Sequence, residues 1–219
     1  MQEYAIITAG GIGKRMGAKK PKQFLEIKNK PILQHTIDVF KSYNKKIKII
    51  LVLPMEHIVT WKNICEDKGY KIDYEIAVGG KERFDSIKQG LKFISKDGLV
   101  AIHDAVRPLV SEKTIKETFK SAKENGNAIP VMPVVESLRM VNSIKNIAVD
   151  RKQFQLVQTP QCFQVSLIKE GYKQNYNPNF TDDASVLEKL GYKINLVEGN
   201  RENIKITTKE DLKFAKAFM

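Results

Sequence analysis

The feature that most constrains this chain is a regular alternation of short apolar runs with helical patterns through its first half. Residues 4–9, "YAIITA", read as a strand and run into a basic, glycine-rich loop. Leu33, Ile37 and Phe40 then share a helical face after Pro31, a favoured first-turn residue. "IKIILVLP" is a second buried strand, followed by a helix carrying Ile58, Trp61 and Ile64 that stops near Gly69. "IDYEIAV" precedes a helix marked by Phe84, Ile87, Leu91 and Ile94. "GLVAIHDAVRP" is strand then loop, and the helix after Ser111 carries Ile115, Phe119 and Ala122. Strands that alternate with amphipathic helices pair in parallel, because each crossover helix covers a face of the sheet. The expected fold is α/β: a three-layer, Rossmann-like, mostly parallel twisted sheet with helices on both faces.

The rhythm breaks across residues 128–157. Two extended runs there flank a polar "NSIKN" turn with no helix between them. This predicts an antiparallel β-arm over residues 133–156 that protrudes from the sheet. A two-stranded ribbon is marginal alone, so the arm is expected to pack on a second subunit. After it come a capped helix in "TDDASVLEKLG", a strand in "YKINLVEG" and a terminal helix in "TKEDLKFAKAF" with a Thr208/Asp211 capping pattern. No repeat or low-complexity linker interrupts the chain, so residues 1–219 are read as one domain.

Composition narrows the partners. The formal net charge is +12, which points to an anionic partner such as nucleic acid, a membrane surface or a phosphorylated small molecule. Lysine supplies most of that charge. The six arginines, Arg15, Arg83, Arg107, Arg139, Arg151 and Arg201, are used sparingly, and five of them fall in Gly-, Asp- or Asn-bearing turns. A few placed guanidiniums suit a discrete phosphate better than a diffuse polyanion. Aromatic platforms beside basic runs are missing, which argues against a nucleic-acid-binding protein. Only Cys65 and Cys162 occur, in no ligand-like spacing, as expected for reduced thiols in the cytoplasm. The start of the sequence shows no leader pattern. No apolar run approaches the roughly 20 residues of a membrane span. Neither a membrane nor a nucleic acid is expected as a partner.

In an open parallel sheet, ligands sit beyond the carboxyl ends of the strands, and the distinctive segments fall there. Gly10, Gly11, Gly13 and Gly17 would let backbone N–H groups close around phosphate, although a plain turn has the same glycines. The spacing is neither that of a dinucleotide loop, as in a Rossmann dehydrogenase, nor that of a Walker loop. In "GGKERFDS", Ser86 could reach a base or ribose edge or simply sit near a helix start. In "HDAVRP", Asp104 could hold Mg²⁺ through oxygen while Arg107 meets a phosphate, or the two could form an ion pair. His103 reads as a packed histidine. Lys205 alternates with Ile204 and Ile206 and therefore faces either solvent or the crevice. Asp182 and Asp183 suit helix capping.

Taken together, "GGIGKRMG…PKQ", "GGKERFDS", "HDAVRP", "VDR", "TPQ", "TDDAS" and "EGNRENIKIT" occur in the order seen in 2-C-methyl-D-erythritol 4-phosphate cytidylyltransferases, which the chain resembles from Ala5 to its last helix. Ribitol-5-phosphate cytidylyltransferases share several of these segments and are the alternative, but "VDR" and "EGNRENIKIT" favour methylerythritol phosphate as the acceptor. The resemblance implies CTP as co-substrate, Mg²⁺ as cofactor and a homodimer joined by the β-arm. It implies that Arg15 and Lys22 stabilise the transition state and the departing pyrophosphate. Ala9, Gly10, Gly11 and Gly13 would line the nucleotide, and Gly80, Lys81 and Ser86 would recognise cytosine. Asp104 would sit at the metal and ribose. Arg151, from the arm of a second subunit, and Lys205 would position the acceptor, with Arg107, Ser137, Thr159 and Thr181 completing that pocket. Glu136-Ser137 replaces the family's common Asp-Thr; the hydroxyl is kept and the carboxylate is longer.

Overall fold

The computed structural model describes residues 1–10 and 20–219. Among these, an eight-stranded mixed sheet forms the centre. Its middle is built from β1 (Gln2–Thr8), flanked in parallel by β4 (Lys48–Leu53) and β6 (Gly98–Asp104), with β5 (Glu75–Val78) parallel to β4 at one edge. The crossovers are α1 (Ile32–Tyr43), α2 (Met55–Asp67) and α3 (Arg83–Leu91), and α4 (Glu112–Asn125) follows β6. A small ribbon of β2 (Glu26–Ile27) and β3 (Lys30–Pro31) precedes α1.

The strands are apolar on both faces, as a sheet covered on both sides requires. Ala5 and Ile7 of β1 join Leu51 and Ala101 in one core with Phe40, Trp61 and Phe119 from α1, α2 and α4. Tyr4 and Ile6 point the other way, into a core with Ile50, Val100, Phe84 and Ile87. Alternation along single strands thus splits the interior into two layers, one on each side of the sheet.

Beyond α4 the parallel order ends. β7 (Asn127–Pro133) does not lie beside β6, because β11 (Gln161–Gln164) runs antiparallel between them. β10 (Gln155–Val157) extends the same edge of β7, and β12 (Leu196–Glu198) pairs with β7 in parallel. A cis peptide joins Thr159 to Pro160 between β10 and β11. The projecting arm is a hairpin of β8 (Leu138–Val141) and β9 (Asn146–Val149), whose turn is closed by Asn142 N–H bonding the Lys145 carbonyl at 3.0 Å. At the base of the segment expected to form the arm, Pro133 and Gln155 pair with one another in the eight-stranded sheet. Short helices α5 (Val165–Gly171) and α6 (Asp183–Glu188) cover the α3 face, and α7 (Lys209–Phe218) ends the chain. The caps behave as the sequence suggests: Ser111 Oγ accepts from Thr114 N–H at 3.1 Å, and Thr208 Oγ1 accepts from Asp211 N–H at 3.1 Å. The strand expected in "YKINLVEG" keeps only three residues; just before it, the Asn195 carbonyl accepts from Ile129 N–H at 2.9 Å while the Asn195 N–H turns to Asn127 Oδ1 at 3.0 Å. Among the described residues, no helix is long and apolar enough to cross a membrane.

Candidate active site

Strand register builds the site. Thr8 lies level with both Asp104 and Val52, and Leu53 lies level with Val78, so the carboxyl ends of β1, β4, β5 and β6 form one rim. A cleft of about 580 Å³ opens there, lined by Ala9, Gly10 and Lys22 on one side and by Gly80, Lys81 and Ser86 on the other. A second hollow of about 270 Å³ adjoins it, lined by Arg107, Thr159 and Thr181. Arg83, Asp104 and Lys205 line both. Parallel β-strands meeting an inserted antiparallel β11 produce this two-lobed form, because the turn into β11 carries Thr159 to the end of β6.

Asp104 is the electrostatic centre. Its Oδ2 accepts from Arg107 Nε and from Lys205 Nζ, each at 3.1 Å. Burial alone would raise its pKa, but Lys205, Arg83 and Arg107 together hold the carboxyl well below the usual range. Arg107 is further fixed by Nη1 donating to the Asn203 carbonyl at 2.8 Å. Lys205 therefore faces the crevice, which settles the choice that its alternation with isoleucines left open.

His103 is fully buried and fully engaged. Its Nε2 lies 3.1 Å from the Arg107 carbonyl, an acceptor only, so that nitrogen carries the hydrogen. Nδ1 then accepts from the Thr159 hydroxyl at 3.0 Å, and Thr159 Oγ1 accepts from Asp104 N–H at 3.2 Å. Burial, with help from Arg107 and Lys205, pushes the imidazole down to about 4. This is a packing histidine that aligns Thr159 and Asp104, as its sequence context suggests. A linkage consequence follows. In the unfolded chain His103 takes a proton near 6.5, whereas the folded site resists until about 4. Stability is therefore complete above pH 6.5 and falls as pH drops toward 4, by roughly 3 kcal/mol for this group. His35, also lowered by burial, acts in the same direction, and Asp104 adds a further loss below the ordinary carboxylate range. Thermal unfolding followed from pH 7 to 4.5 should show this fall, and His103→Gln should flatten it.

The cleft wall at Gly80 is shaped by backbone. Gly80 N–H donates to Ser86 Oγ at 3.1 Å, which leaves the Ser86 hydroxyl hydrogen to point elsewhere. A Cβ on Gly80 would press on Asp85, with that residue's carbonyl carbon at 3.0 Å and its Cα at 3.2 Å. Of the residues singled out in the sequence, Ser137 and Arg151 lie on or beside the arm and line neither lobe within one chain. Arg151 Nη1 donates to the Val135 carbonyl. Gly11, Gly13 and Arg15 lie outside the described residues. The sequence reading missed Arg83, whose guanidinium forks onto Asp183 with Nη1–Oδ1 at 2.8 Å and Nη2–Oδ2 at 2.6 Å. Capping falls to Asp182 alone, whose Oδ1 accepts from Ser185 N–H at 2.9 Å. The one local signal was an Arg at a helix start, where a cation gains nothing from the helix dipole.

Comparison with known proteins agrees with this geometry. Residues 4–219 match the family model for 2-C-methyl-D-erythritol 4-phosphate cytidylyltransferase. The enzymes of that name from Bacteroides thetaiotaomicron and Bacteroides fragilis are 46% and 48% identical over 219 residues, covering 100% of both chains in each case. The crystal structure of 4-diphosphocytidyl-2C-methyl-D-erythritol synthase from Anaerococcus prevotii superposes with a TM-score of 0.84 at 29% identity, covering 99% of this chain and 95% of that one. Sequence, fold and rim together establish that the chain belongs to the 2-C-methyl-D-erythritol 4-phosphate cytidylyltransferase family.

Proposed function

We propose that this chain joins CTP to 2-C-methyl-D-erythritol 4-phosphate, giving 4-diphosphocytidyl-2-C-methyl-D-erythritol and pyrophosphate in non-mevalonate isoprenoid precursor synthesis. The observation that carries this reading is the pair of adjoining lobes with Arg83, Asp104 and Lys205 as their common wall. One lobe suits a nucleotide, the other a small phosphorylated acceptor, and the wall lies where their phosphates would meet.

An acceptor phosphate oxygen attacks the α-phosphorus, a new P–O bond forms, and the bond to the β-phosphate breaks as pyrophosphate leaves. The attacking oxygen is already ionised, so no strong base is needed, consistent with an engaged His103. The demand falls on positive charge and in-line placement. Lys22 and Lys205, which both line the cleft, meet it, with Arg15 assigned the same task. Gly80 and Ser86 read the base, Ser86 by donating its hydroxyl hydrogen to a cytosine acceptor; Lys81 borders that end of the cleft. Ala9 and Gly10, with Gly11 and Gly13, contribute main chain. Arg107, Thr159 and Thr181 shape the acceptor lobe.

Mg²⁺ fits this donor set in one way. Among the described residues, no group of three or more His, Cys, Asp or Glu side chains could hold a metal unaided. A single carboxylate completed by phosphate oxygens is a usual Mg²⁺ arrangement, and among the described residues the Arg107 and Lys205 contacts of Asp104 fall on Oδ2, so Oδ1 would be the oxygen offered to a bound ion or its water. When bound with CTP, the ion would neutralise triphosphate charge.

The functional unit we propose is a homodimer. The arm and its approach expose Met140, Val141, Ile144 and Phe154, with Ile144 at 91%. An exposed two-stranded ribbon carrying these apolar side chains is marginal in water unless covered. A second copy would cover it and bring Ser137 and Arg151 to the acceptor lobe of its neighbour. Arg151→Ala is expected to raise the acceptor KM about 10- to 100-fold, the loss of a charged hydrogen bond, with the CTP KM within about twofold. An equal effect on both substrates would count against that placement. The free, buried Cys65 and Cys162 suit a reducing cytoplasm.

The direct test is pyrophosphate release from CTP with methylerythritol phosphate and ribitol 5-phosphate offered separately. Turnover with the first alone is expected. Turnover with ribitol 5-phosphate alone reassigns the acceptor. Absence of CTP turnover with either, together with tight salt-dependent DNA binding, would sink the enzymatic reading.

A further inference from the structure

We infer that the Arg83–Asp183 fork is a positioning pair that sets the acceptor lobe against the nucleotide lobe; this deepens the proposed function and rests on it. Asp183 is completely buried, so its carboxylate touches no substrate. It is nonetheless saturated with donors: both terminal nitrogens of Arg83 reach it, and Tyr172 Oη–H donates to Oδ1 at 2.6 Å. Just before it, Asp182 and Thr181 line the acceptor lobe and no part of the nucleotide cleft. Gln161 Oε1 accepts from Asp183 N–H at 3.0 Å and from Ala184 N–H at 2.9 Å, fixing the same turn to β11. The other end of the fork is the first residue of α3, the helix that carries Ser86. A planar two-point bond fixes orientation as well as distance. The turn at residues 181–183 is thus registered directly to the nucleotide-reading segment.

The two ends are unequal in what else holds them. α3 is anchored by Phe84, Ile87 and Leu91 in the core, and by Glu82 N–H bonding Asp85 Oδ2 at 3.1 Å. On the other side, Asp183 opens α6, which is anchored by buried Ala184, Val186 and Leu187 and by Asp182 Oδ1 accepting from Ser185 N–H at 2.9 Å. The lobe-lining Thr181, however, is exposed and lies ahead of that helix, whereas Ser86 lies inside α3. Loosening the fork therefore displaces the acceptor lobe and leaves the nucleotide cleft in place. A shift of about an ångström at a reacting group can cost up to about a hundredfold in rate.

The test uses the full-length enzyme in the pyrophosphate-release assay, with the melting temperature measured alongside. Asp183→Asn preserves shape and removes the charge; it should raise the acceptor KM roughly tenfold while the CTP KM stays within about twofold. Tyr172→Phe removes the third donor and keeps the fork; both KM values should stay within about twofold of wild type. Should Asp183→Asn not fold, Asp183→Glu, which keeps the charge and breaks the two-point geometry while leaving Arg83 in the shared wall, is read by the same KM split. The inference is overturned by an unchanged acceptor KM, by equal rises for both substrates, by a lowered melting temperature without a split, or by Tyr172→Phe matching Asp183→Asn. Failure of the wild type to turn over methylerythritol phosphate would instead overturn the functional reading.

Discussion

Lys22→Ala is expected to slow pyrophosphate release by about 10²–10³-fold, the usual cost of losing one fixed charge aimed at a transition state, while the melting temperature moves by no more than about 2 °C. The fold should persist because the turn carrying Lys22 is held by its neighbours. Gln23 is buried and donates through Nε2 to the Ala9 carbonyl at 2.8 Å, and Phe24 stacks on Trp61 with centroids 5.9 Å apart. Removing the lysine side chain leaves both anchors intact. Lys22 borders the cleft at the side where the β- and γ-phosphates would lie in the proposed pose, so the loss should fall on kcat more than on the CTP KM. Arg15→Ala should change turnover in the same direction. Near-normal turnover in either variant would refute its assigned role.

Gly80→Ala is the second large effect. The new methyl group would press on Asp85, and the atoms it meets belong to backbone and Cβ, which cannot swing aside. The start of α3 must shift, taking Ser86 and the Gly80 N–H with it. Overpacking of this kind costs about 1–3 kcal/mol, read as a melting temperature lower by several degrees. The CTP KM should rise at least roughly tenfold, because a base-reading edge made of backbone tolerates little displacement. Gly10→Ala gives the contrast. No described atom lies within 4 Å of a Cβ at that position, so stability should hold and any loss should be confined to CTP affinity. Equal melting temperatures and equal CTP KM values for Gly80→Ala and wild type would remove the structural basis for the proposed base contact.

Much of this architecture was legible before any coordinates. The β1–α1–β4–α2–β5–α3–β6–α4 succession follows from periodicity, because each helix must bury one stripe and each inner strand both faces. The site segments were legible because they sit at strand ends, where parallel packing gathers them. What the sequence hid depends on long-range pairing. "QCFQ" is too short to announce β11, and nothing local says that it inserts between β6 and β7. That insertion is what brings Thr159 to His103 and Asp104, residues 55 or more positions earlier. Asp183 was likewise hidden, since a second acidic residue at a helix start has an adequate local role in capping, and its partner lies 100 residues away. Periodicity identifies which faces are buried. It does not identify which charges meet there.

Two chambers that share a wall constrain how such an enzyme can diverge. In the proposed arrangement a change at Arg83, Asp104 or Lys205 disturbs both tenants together, so a lineage adopting a new sugar alcohol while retaining its nucleotide would have to vary the outlying corner formed by Thr159, Thr181 and, in the proposed dimer, the neighbouring copy's ribbon. Preference for the alcohol can drift by small steps there, whereas the cytidine end is held in common with the chemistry itself.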